Sequence, residues 1–260
     1  MLPFIHIGHF SLPTFGLMLW VATLCACWVL SLSFRRANID ADAVGIVAIA
    51  TLSGIVGARL WHNLETPTYF FSHFKEMMLT TEGFAWFGGL LASILALVIQ
   101  GKIEKIGGLR ILDLSGPAAA VGYAVGRIGC LTSGDGDYGI PTSLPWGMSF
   151  PHGLVPTTER VHPTPVYELV VGLLIAWILW RRGAKPTPLG RLTGEYLLLT
   201  GIARFTVEFI RRNDKIFLGL TNAQLASAGS IVVGLLLILW ANSRKIYPAV
   251  EAPVALDVTE

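Results

Sequence analysis

The sequence predicts an all-α integral membrane protein with about seven transmembrane helices, and three observations support that prediction. Of the 260 residues, 53% are hydrophobic and only 14% are charged, whereas a soluble domain carries about 25% charged residues. The mean hydropathy is +0.62. Apolar stretches of the length that a bilayer requires recur from one end of the chain to the other. This composition excludes a soluble globular protein.

Each predicted span is a run of about 20 residues that is apolar enough to cross the hydrocarbon core. The runs lie at 13–33, 43–62, 84–101, 111–131, 164–180, 192–210 and 223–241. The second and fourth are rich in Gly and Ala, which allows neighbouring helices to approach closely. The first lacks a basic leading segment and a small-residue cleavage site, so we interpret it as a retained span and not as a signal peptide.

Lys and Arg residues are unevenly divided between alternate loops. The loops on one side hold eleven of them and the loops on the other side hold five. Because basic residues accumulate on the cytoplasmic side, we expect the N-terminus outside and the C-terminus in the cytoplasm. The sequence predicts one transmembrane domain over 1–246 and a disordered cytoplasmic tail over 247–260.

Three arginines lie inside predicted spans: Arg59, Arg127 and Arg204. An arginine in hydrocarbon costs about 2.5–3.5 kcal/mol, so it usually has a partner or a function. All three fall in the outward half of a span that runs outward, which predicts guanidinium groups at similar depth. Arg59 could instead extend its charge to the lipid headgroups. Glu208 follows Arg204 by one helical turn, so these two side chains are expected to pair.

The stretch 126–139, which ends the fourth span, carries Asp135 and Asp137 among several glycines. Glycines let backbone and ligand come close together, so this stretch predicts an anionic ligand held beside Arg127 at a membrane surface. The loop 132–163 is the longest connection, and the prolines at 141, 145, 151 and 156 stiffen it. We expect this loop to fold back over the bundle as a periplasmic cap.

The sequence predicts no metal ligand set and no cofactor. Cys25, Cys27 and Cys130 lack metal-ligand spacing, and we interpret them as small buried thiols. Cys130, beside an arginine, could alternatively be reactive. The glycines around Asp135 lack the following helix and lysine of a phosphate-binding P-loop. No nucleic-acid partner is expected.

Ordered motifs recur along most of the chain. They are Leu-Asp-Leu at 112–114 with Gly-Arg-Ile-Gly at 126–129, Asp-Gly-Asp-Tyr-Gly at 135–139, the runs at 141–148, 162–168 and 204–211, and shorter pieces at 15–16 and 88–89. Together these motifs resemble those of the bacterial phosphatidylglycerol–prolipoprotein diacylglyceryl transferases.

The chain also departs from the pattern of that family. Phe87 stands where the family typically has a His before the Gly-Gly pair of the third helix. The other departures are Phe15 and Thr200 at tyrosine positions, Cys130 and Ser133 at asparagine positions, and Asp135 at a glutamate position. The arginines expected beside phosphate match the family, whereas several groups that would carry protons or hydrogen bonds do not.

The resemblance implies transfer of a diacylglyceryl group from phosphatidylglycerol to the thiol of a lipobox cysteine in a prolipoprotein signal peptide. A thioether forms and glycerol phosphate departs, in a multi-pass protein of the bacterial inner membrane. One alternative is a paralogue with another acceptor, or one that only binds anionic phospholipid. A small-solute transporter is a weaker alternative, because the buried charges are predicted near one face and transporter sites usually lie at the midplane.

Two chemical demands of this reaction suggest roles for the site residues. The departing phosphate must be stabilised, and we assign Arg127 and Arg204 to it because guanidinium is permanently charged and forked. Glu208 would orient Arg204. The thiol must also lose its proton, since only the thiolate attacks. The candidates for the base are Asp135, His162 and Glu208.

Further residues are predicted to contact the substrate. They are Gly139, Tyr167, Glu168, Arg59, Gly88 and Gly89. Structural explanations stay open for several site residues. Glu168 begins a helix, where a negative charge favours the helix dipole, His162 could cap the fifth helix, and Asp135 could form an ion pair with Arg127.

Overall fold

The structure, a computed structural model, describes residues 1–64, 86–243 and 246–247. Seven helices account for most of these residues. They are α1 (Thr14–Arg36), α2 (Ala43–Leu64), α3 (Trp86–Ile103), α4 (Gly108–Ser133), α5 (Thr164–Gly183), α6 (Arg191–Val207) and α7 (Asn222–Asn242). A short 3₁₀ helix, Glu208–Ile210, extends α6. Each helix begins and ends within a few residues of a predicted span.

Four of these helices are long and apolar enough to cross a membrane: α1, α2, α5 and α7. In α3 the apolar part is shorter, Gly88–Ile103. The helices α4 and α6 carry ionisable side chains within their length, among them Asp113 and Arg127 in α4 and Arg204 in α6. The chain is therefore a mostly helical, multi-pass membrane protein, and the count of seven spans remains a prediction.

Alongside the helices, the described residues form three short antiparallel ribbons. They are β1 (Phe4–Ile7) with β2 (Phe10–Pro13), β3 (Met148–Phe150) with β4 (Thr157–Val161), and β5 (Thr187–Pro188) with β6 (Ile246–Tyr247). Backbone N–H and C=O groups outside the helices need partners, and strand pairing supplies them. The tail predicted at 247–260 lies outside the described residues apart from Tyr247.

Helix α4 lies at the centre of the bundle, where it packs against α1, α3, α5 and α6. Its small buried residues, Ala118, Ala120 and Ala124, make room for these neighbours. Glycines perform the same role between α2 and α3. A methyl group on Gly88 would lie 2.3 Å from the carbonyl oxygen of Gly57, so the two backbones touch directly, as small residues allow in membrane helices.

The helices α5 and α6 are antiparallel neighbours, so the bundle has two distinct ends. We call the end with the α5–α6 connection the turn end, and the opposite end the site end. At the turn end, the Asp113 carboxylate accepts hydrogen bonds from Gly190 N at 2.6 Å, Thr193 N at 2.8 Å and Thr193 Oγ1 at 2.6 Å. It satisfies backbone donors at the start of α6, which have no partner within the helix.

A small group of charged residues also lies at the turn end, and we call it the turn-end cluster: Arg182, Arg191 and Glu195. Glu195 Oε1 accepts from Arg182 Nη2 at 2.5 Å and from Arg191 Nε at 2.9 Å. Its Oε2 accepts from Arg182 Nε at 3.1 Å. The Arg182 side chain is 46% exposed. These contacts tie the end of α5 to the start of α6.

Candidate functional site

At the site end, α4 ends soon after Arg127, and a glycine fixes that end. Gly134 adopts a φ of 60°, in the left-handed region, and its N–H bonds to the carbonyl of Cys130 at 3.0 Å. Glycine takes this conformation without strain and commonly follows the last turn of a helix. The chain can therefore reverse direction just beyond the Arg127 guanidinium.

The loop that follows brings Asp137 back to Arg127. Thr164 Oγ1, at the start of α5, donates a hydrogen bond to the Asp137 carbonyl. The stacked rings of Tyr138 and Phe150, with centroids 5.0 Å apart, form a small buried core inside the loop. The loop is thus a packed structure that holds one carboxylate in place over the end of α4.

Gly139 holds this loop against the segment that follows α6. A Cβ atom at this position would lie 2.4 Å from the carbonyl oxygen of Ile210, so only glycine permits the approach. The neighbouring Ile140 N–H donates to that same oxygen at 2.8 Å, and Gly139 N–H donates to the His162 carbonyl at 2.8 Å. Gly139 also forms a β-bridge with Arg211, which places the Arg211 side chain beside Asp137.

Three arginines and three carboxylates meet at this point, and we call the group the arginine network. Its members are Arg127, Arg204, Arg211, Asp137, Glu168 and Glu208. Asp137 lies between two of the arginines. Its Oδ2 pairs with Arg127 Nη1 at 2.5 Å and its Oδ1 with Arg211 Nη2 at 2.5 Å. The loop, α4 and the segment after α6 are therefore joined through one carboxylate.

Glu168, near the start of α5, contacts all three guanidinium groups. Its Oε1 pairs with Arg204 Nη1 at 2.7 Å, and its Oε2 pairs with Arg127 Nε at 3.3 Å and Arg211 Nη1 at 3.5 Å. Tyr123, one turn before Arg127 on α4, donates its hydroxyl to Glu168 Oε1 at 2.5 Å and accepts from Arg127 Nη2 at 3.0 Å. Glu168 is thus the hub of the network.

Glu208 closes the network at the end of α6. Its Oε2 pairs with Arg204 Nη2 at 3.1 Å and lies 3.6 Å from Arg211 Nε. Its Oε1 accepts from Asn213 Nδ2 at 2.5 Å and from Thr221 Oγ1 at 2.9 Å. The predicted pairing of Arg204 with Glu208 is confirmed. The side chain of Glu208 is 0% exposed, and the hydrogen bonds to its Oε1 hold it in place at the end of α6.

The network is buried and its formal charges cancel. The exposed fractions of the three arginine side chains are 15% for Arg127, 26% for Arg204 and 8% for Arg211. Among the carboxylates Asp137 is 28% exposed and Glu168 is 5% exposed. Charges in a buried environment interact more strongly than in water. The arrangement therefore fixes three guanidinium groups in one place with little freedom to move.

The loop carboxyls of Asp135 and Asp137 have opposite electrostatic environments. Burial acts to raise the pKa of Asp137, but the hydrogen bond from Arg211 and the charges of Arg211 and Arg127 outweigh it and lower that pKa. The pKa of Asp135 is raised, first by burial and then by the negative charge of Asp137. Asp135 is therefore the better proton acceptor of the two near neutral pH.

Asp135 does not form the ion pair with Arg127 that was one interpretation of the sequence. That partner is Asp137, whose carboxylate lies 2.5 Å from Arg127. The Asp135 carboxylate instead accepts the backbone N–H of Asp137 at 3.2 Å. An acceptor two residues before the donor is the usual geometry of an aspartate turn, and it leaves Asp135 at the border of the network.

His162 and Tyr167, two other predicted site residues, contact each other. His162 Nδ1 lies 3.2 Å from the Tyr167 hydroxyl, with the rings edge to face. That hydroxyl also accepts from Trp146 Nε1 at 2.8 Å. These residues form a polar group of their own around the start of α5, joined to the network along the chain by Glu168.

The remaining predicted residues lie on α2 and α3. Arg59 is buried on α2, with 4% exposed, and the ion pairs of the network do not include it. Gly88 and Gly89 pack against α2, where a Cβ on Gly89 would lie 3.2 Å from the Gly54 carbonyl. Their position explains why they are glycines without a ligand. The side chain of Phe87 lies outside the described residues.

Sequence reasoning did not name Arg211, Tyr123 or Asp137 among the site residues. Arg211 was counted as a basic residue of an outer loop, and it lies just beyond the 3₁₀ helix in extended backbone. Tyr123 precedes Arg127 by four positions and therefore lies on the same face of α4. Helical spacing from Arg127 could have found Tyr123, whereas Arg211 reaches the network through its bridge with Gly139.

Cys130 lies next to this site, with its Sγ accepting from Arg127 Nη1 at 3.6 Å. Sγ and one oxygen each from Asp135 and Asp137 lie within 4.8 Å of one another, a spacing that could suit a metal ion. However, both oxygens of Asp137 already pair with guanidinium groups, so a cation would compete with two positive charges. The described residues of this group fit an ion-pair network better than a metal centre.

Comparison with known proteins finds a family model and relatives that carry the same description. A family model described as prolipoprotein diacylglyceryl transferase matches residues 3–240. A phosphatidylglycerol–prolipoprotein diacylglyceryl transferase of Cupriavidus pinatubonensis is 31% identical over 96% of this chain and 94% of its own length. Proteins of the same name from Cupriavidus metallidurans and Geobacter sulfurreducens are 32% and 33% identical, over 92% and 94% of this chain and 93% and 96% of their own lengths.

Proposed function

The chain belongs to the prolipoprotein diacylglyceryl transferase family, and on that premise we propose that the arginine network holds the phosphate of phosphatidylglycerol. The enzyme transfers the diacylglyceryl group of phosphatidylglycerol to a prolipoprotein. The family match over residues 3–240 does not favour the alternatives of a lipid-binding paralogue or a solute transporter.

The reaction breaks the bond between a glycerol carbon and a phosphate oxygen, so negative charge grows on the departing glycerol phosphate. Preorganised cations in a buried site stabilise such charge strongly. The observation that carries the proposal is that Arg127 of α4 and Arg204 of α6 pair with the same carboxylate, Glu168, at 3.3 and 2.7 Å. Two guanidinium groups from separate helices are thus fixed within reach of one phosphate.

Because the charges of the network already balance, a phosphate can bind there only by replacing one of the carboxylates as a partner of the guanidinium groups. A phosphate adds a further negative charge, so it must take over guanidinium hydrogen bonds that a carboxylate makes in its absence. Asp137 is the most exposed carboxylate of the network, at 28%, and we propose that it yields its place. Glu168 and Glu208, at 5% and 0% exposed, would keep the guanidinium groups oriented.

We propose Asp135 as the base that removes the thiol proton. The pKa of Asp135 is raised by burial and by its neighbour Asp137, which makes it a stronger base than an ordinary aspartate. The proton passes from sulfur to the Asp135 carboxylate. The thiolate then forms the C–S bond while the C–O bond breaks, and glycerol phosphate leaves with the electron pair. Glu208 is less suited to this role because its side chain is fully enclosed.

Transfer of label in a reconstituted system tests the role of the network. Wild-type protein, Arg127→Ala and Arg204→Ala would be given phosphatidylglycerol labelled in its acyl chains and a peptide that contains a lipobox cysteine. We expect the label on the peptide for the wild type and a loss of about 100-fold or more for each variant. Arg182→Ala, an arginine substitution at the turn end, is the matched control and should retain activity.

Two results would contradict the proposal. Full transfer by either network variant would remove the phosphate-holding role, and an equal loss in Arg182→Ala would indicate a general effect of arginine removal. A thermal unfolding measurement on each variant in detergent separates loss of function from loss of fold.

We further propose seven spans in one domain over 1–246 of the inner membrane, with the N-terminus outside and the loop 132–163 facing the periplasm. The distribution of basic residues supports this orientation. A membrane-impermeant maleimide should label Ser143→Cys in intact spheroplasts and label Ser243→Cys only after permeabilisation. The reverse pattern would invert the topology.

A further inference from the structure

At the turn end, a small cavity of about 50 Å³ opens between the end of α1, the start of α4 and the end of α5. A pocket that encloses a drug-sized ligand has about 300–1,000 Å³, so this cavity has room for a small group such as a phosphate and not for a whole lipid. The arginine network lies at the opposite end of the bundle, so this cavity is separate from the proposed transfer site.

The cavity is lined by three basic side chains and by one acidic residue. The basic residues are Arg36, Arg110 and Lys185, and the acidic residue is Asp113. Both Asp113 oxygens already accept hydrogen bonds from residues 190 and 193 at the start of α6. Its charge is therefore directed to a helix start, and the basic residues give the cavity a positive excess.

Arg36 is held in a fixed orientation at the wall of the cavity. Its guanidinium carbon lies 3.5 Å from the centroid of the Trp180 ring, and its Nη1 donates to the Trp180 carbonyl at 2.8 Å. A cation over an aromatic face is stabilised by the ring. The contact uses one edge of the fork, and the described contacts leave the other N–H groups available to a planar or tetrahedral anion.

The surroundings place the cavity at the boundary between lipid and water. Trp177 and Trp180 lie near the end of α5, and Trp177 is 57% exposed; tryptophan is enriched at the level of the headgroups. Lys185 is exposed just beyond the end of α5. Basic pockets between helices at such a boundary bind the headgroups of anionic lipids.

We propose that this cavity binds the phosphate of an anionic phospholipid headgroup from the leaflet at the turn end. The lipid is bound as a structural ligand and not as the substrate. The guanidinium of Arg36 and the ammonium of Lys185 contact the phosphate, while the acyl chains stay in the bilayer beside α1 and α5. This proposal does not depend on the role assigned to the arginine network.

Thermal unfolding of the full-length protein in neutral detergent tests the site. The midpoint is measured against increasing phosphatidylglycerol, and against phosphatidylcholine with the same acyl chains. A ligand that binds the folded state raises the midpoint in a concentration-dependent manner. The two lipids are also to be compared in the Arg127→Ala variant, so that binding at the arginine network is distinguished from binding at the cavity.

We expect Lys185→Gln to weaken the apparent affinity for phosphatidylglycerol about fivefold, because one basic charge near a membrane surface contributes about that factor. Arg36→Gln should weaken it at least as much. Lys185→Gln is the primary variant because its side chain is exposed and its loss leaves the bundle intact. The control is Arg181→Gln, a basic residue of the same helix end that stacks on Trp177 and does not line the cavity.

The outcomes separate cleanly. A weaker response to phosphatidylglycerol in Lys185→Gln and Arg36→Gln, with none in Arg181→Gln, supports the site. If glycerol phosphate or inorganic phosphate alone produces the same stabilisation, the occupant is a soluble anion and the lipid is overturned as its source. Equal responses in the cavity variants and the control would overturn the proposal, whatever the transfer activity of Arg127→Ala.

Discussion

The helices α5 and α6 carry charged residues at both of their ends, and the two groups differ in burial and balance. At the turn end, one carboxylate faces two arginines whose side chains are 46% and 29% exposed. At the site end, three carboxylates face three arginines of which none is more than 26% exposed. The turn-end cluster joins two helices, whereas the arginine network gathers α4, α5, α6 and a loop.

The difference shows that the burial of an ion pair decides how much it contributes to stability. Arginines at the turn end can turn to water if their partner is lost, so their pairing contributes little to stability. Arg127 and Arg211 of the network are more enclosed, at 15% and 8% exposed, and each depends on carboxylates from other elements. Buried charges that several elements bring to one place mark a candidate functional site.

The largest expected difference between the arginine network and the turn-end cluster is in the free energy of unfolding that is lost when the central carboxylate of each is removed. Glu168→Gln leaves the buried network with one uncompensated positive charge, which costs about 3–5 kcal/mol. Glu195→Gln should cost about 1 kcal/mol, because its arginines reach solvent. Thermal or urea unfolding in detergent measures both. Equal losses would show that the two groups are energetically alike and break the comparison.

Next in size is the effect of exchanging arginine for lysine on transfer activity. Arg127 uses separate nitrogen atoms for Asp137, Glu168 and Tyr123, and a lysine ammonium cannot reproduce that fork. We expect Arg127→Lys to lower kcat about 100-fold, and Arg182→Lys to leave it unchanged. Retained activity in Arg127→Lys would mean that charge alone, without the fork, suffices at this position.

A smaller effect is expected from removal of one hydroxyl. Tyr123→Phe deletes the hydrogen bonds to Glu168 and Arg127 but keeps the ring, and a hydrogen bond to a charged group contributes about 1.5–3 kcal/mol. We expect kcat to fall about tenfold, with the fold intact. Tyr138→Phe, whose hydroxyl donates to the Val155 carbonyl at 3.1 Å, is the control. A larger loss in the control would place the important hydroxyl in the loop.

The smallest effects concern pH and distinguish two neighbouring aspartates. The pKa of Asp137 is lowered in the folded protein, so its ionised form contributes stability at neutral pH that is lost as the pH falls through that lowered value. The pKa of Asp135 is raised, so its ionised form costs stability at neutral pH, and the cost disappears as the pH falls through the raised value.

Paired asparagine variants sharpen this difference. Asp137→Asn should lower the unfolding midpoint at pH 7, and Asp135→Asn should raise it slightly or leave it unchanged. The Asp135 difference should shrink as the pH falls from its raised pKa towards the ordinary aspartate value of about 3.9, whereas the Asp137 difference should persist to that value and shrink only below it. Two variants that move in the same direction would refute the opposite environments assigned to the carboxyls.

Hydropathy predicted the helices well because a helix in lipid needs a continuous apolar run, which is a local property of the chain. The site was predicted only in part because it depends on where the loops return. Arg127, Arg204 and Glu208 were found since each interrupts an apolar run or lies one turn from an interruption. The sequence predicted Glu168 as a substrate contact, and its negative charge at the start of a helix offered a structural explanation. Its central position in the network could not be predicted, because that position depends on three other elements.

Asp137 and Arg211 show most plainly which parts of the site could not be predicted from the sequence. Nothing in the local sequence distinguishes Asp137 from Asp135 as the partner of Arg127. The close packing of Gly139 against the Ile210 carbonyl positions the loop so that Asp137 is the partner. Arg211 lies beyond the predicted end of the sixth span and was read as a loop residue. Backbone contacts between distant segments, and not composition, bring both into the network.

The even balance of positive and negative groups at the site end has a consequence for biogenesis. Arg127 and Glu168 lie on consecutive helices and neutralise each other only once both are in the bilayer, whereas Arg204 and Glu208 neutralise each other within one helix. A lone charge on an inserting segment is opposed by about 2.5–3.5 kcal/mol. We therefore expect α4 and α5 to leave the translocon as a joined hairpin, while α6 can partition alone.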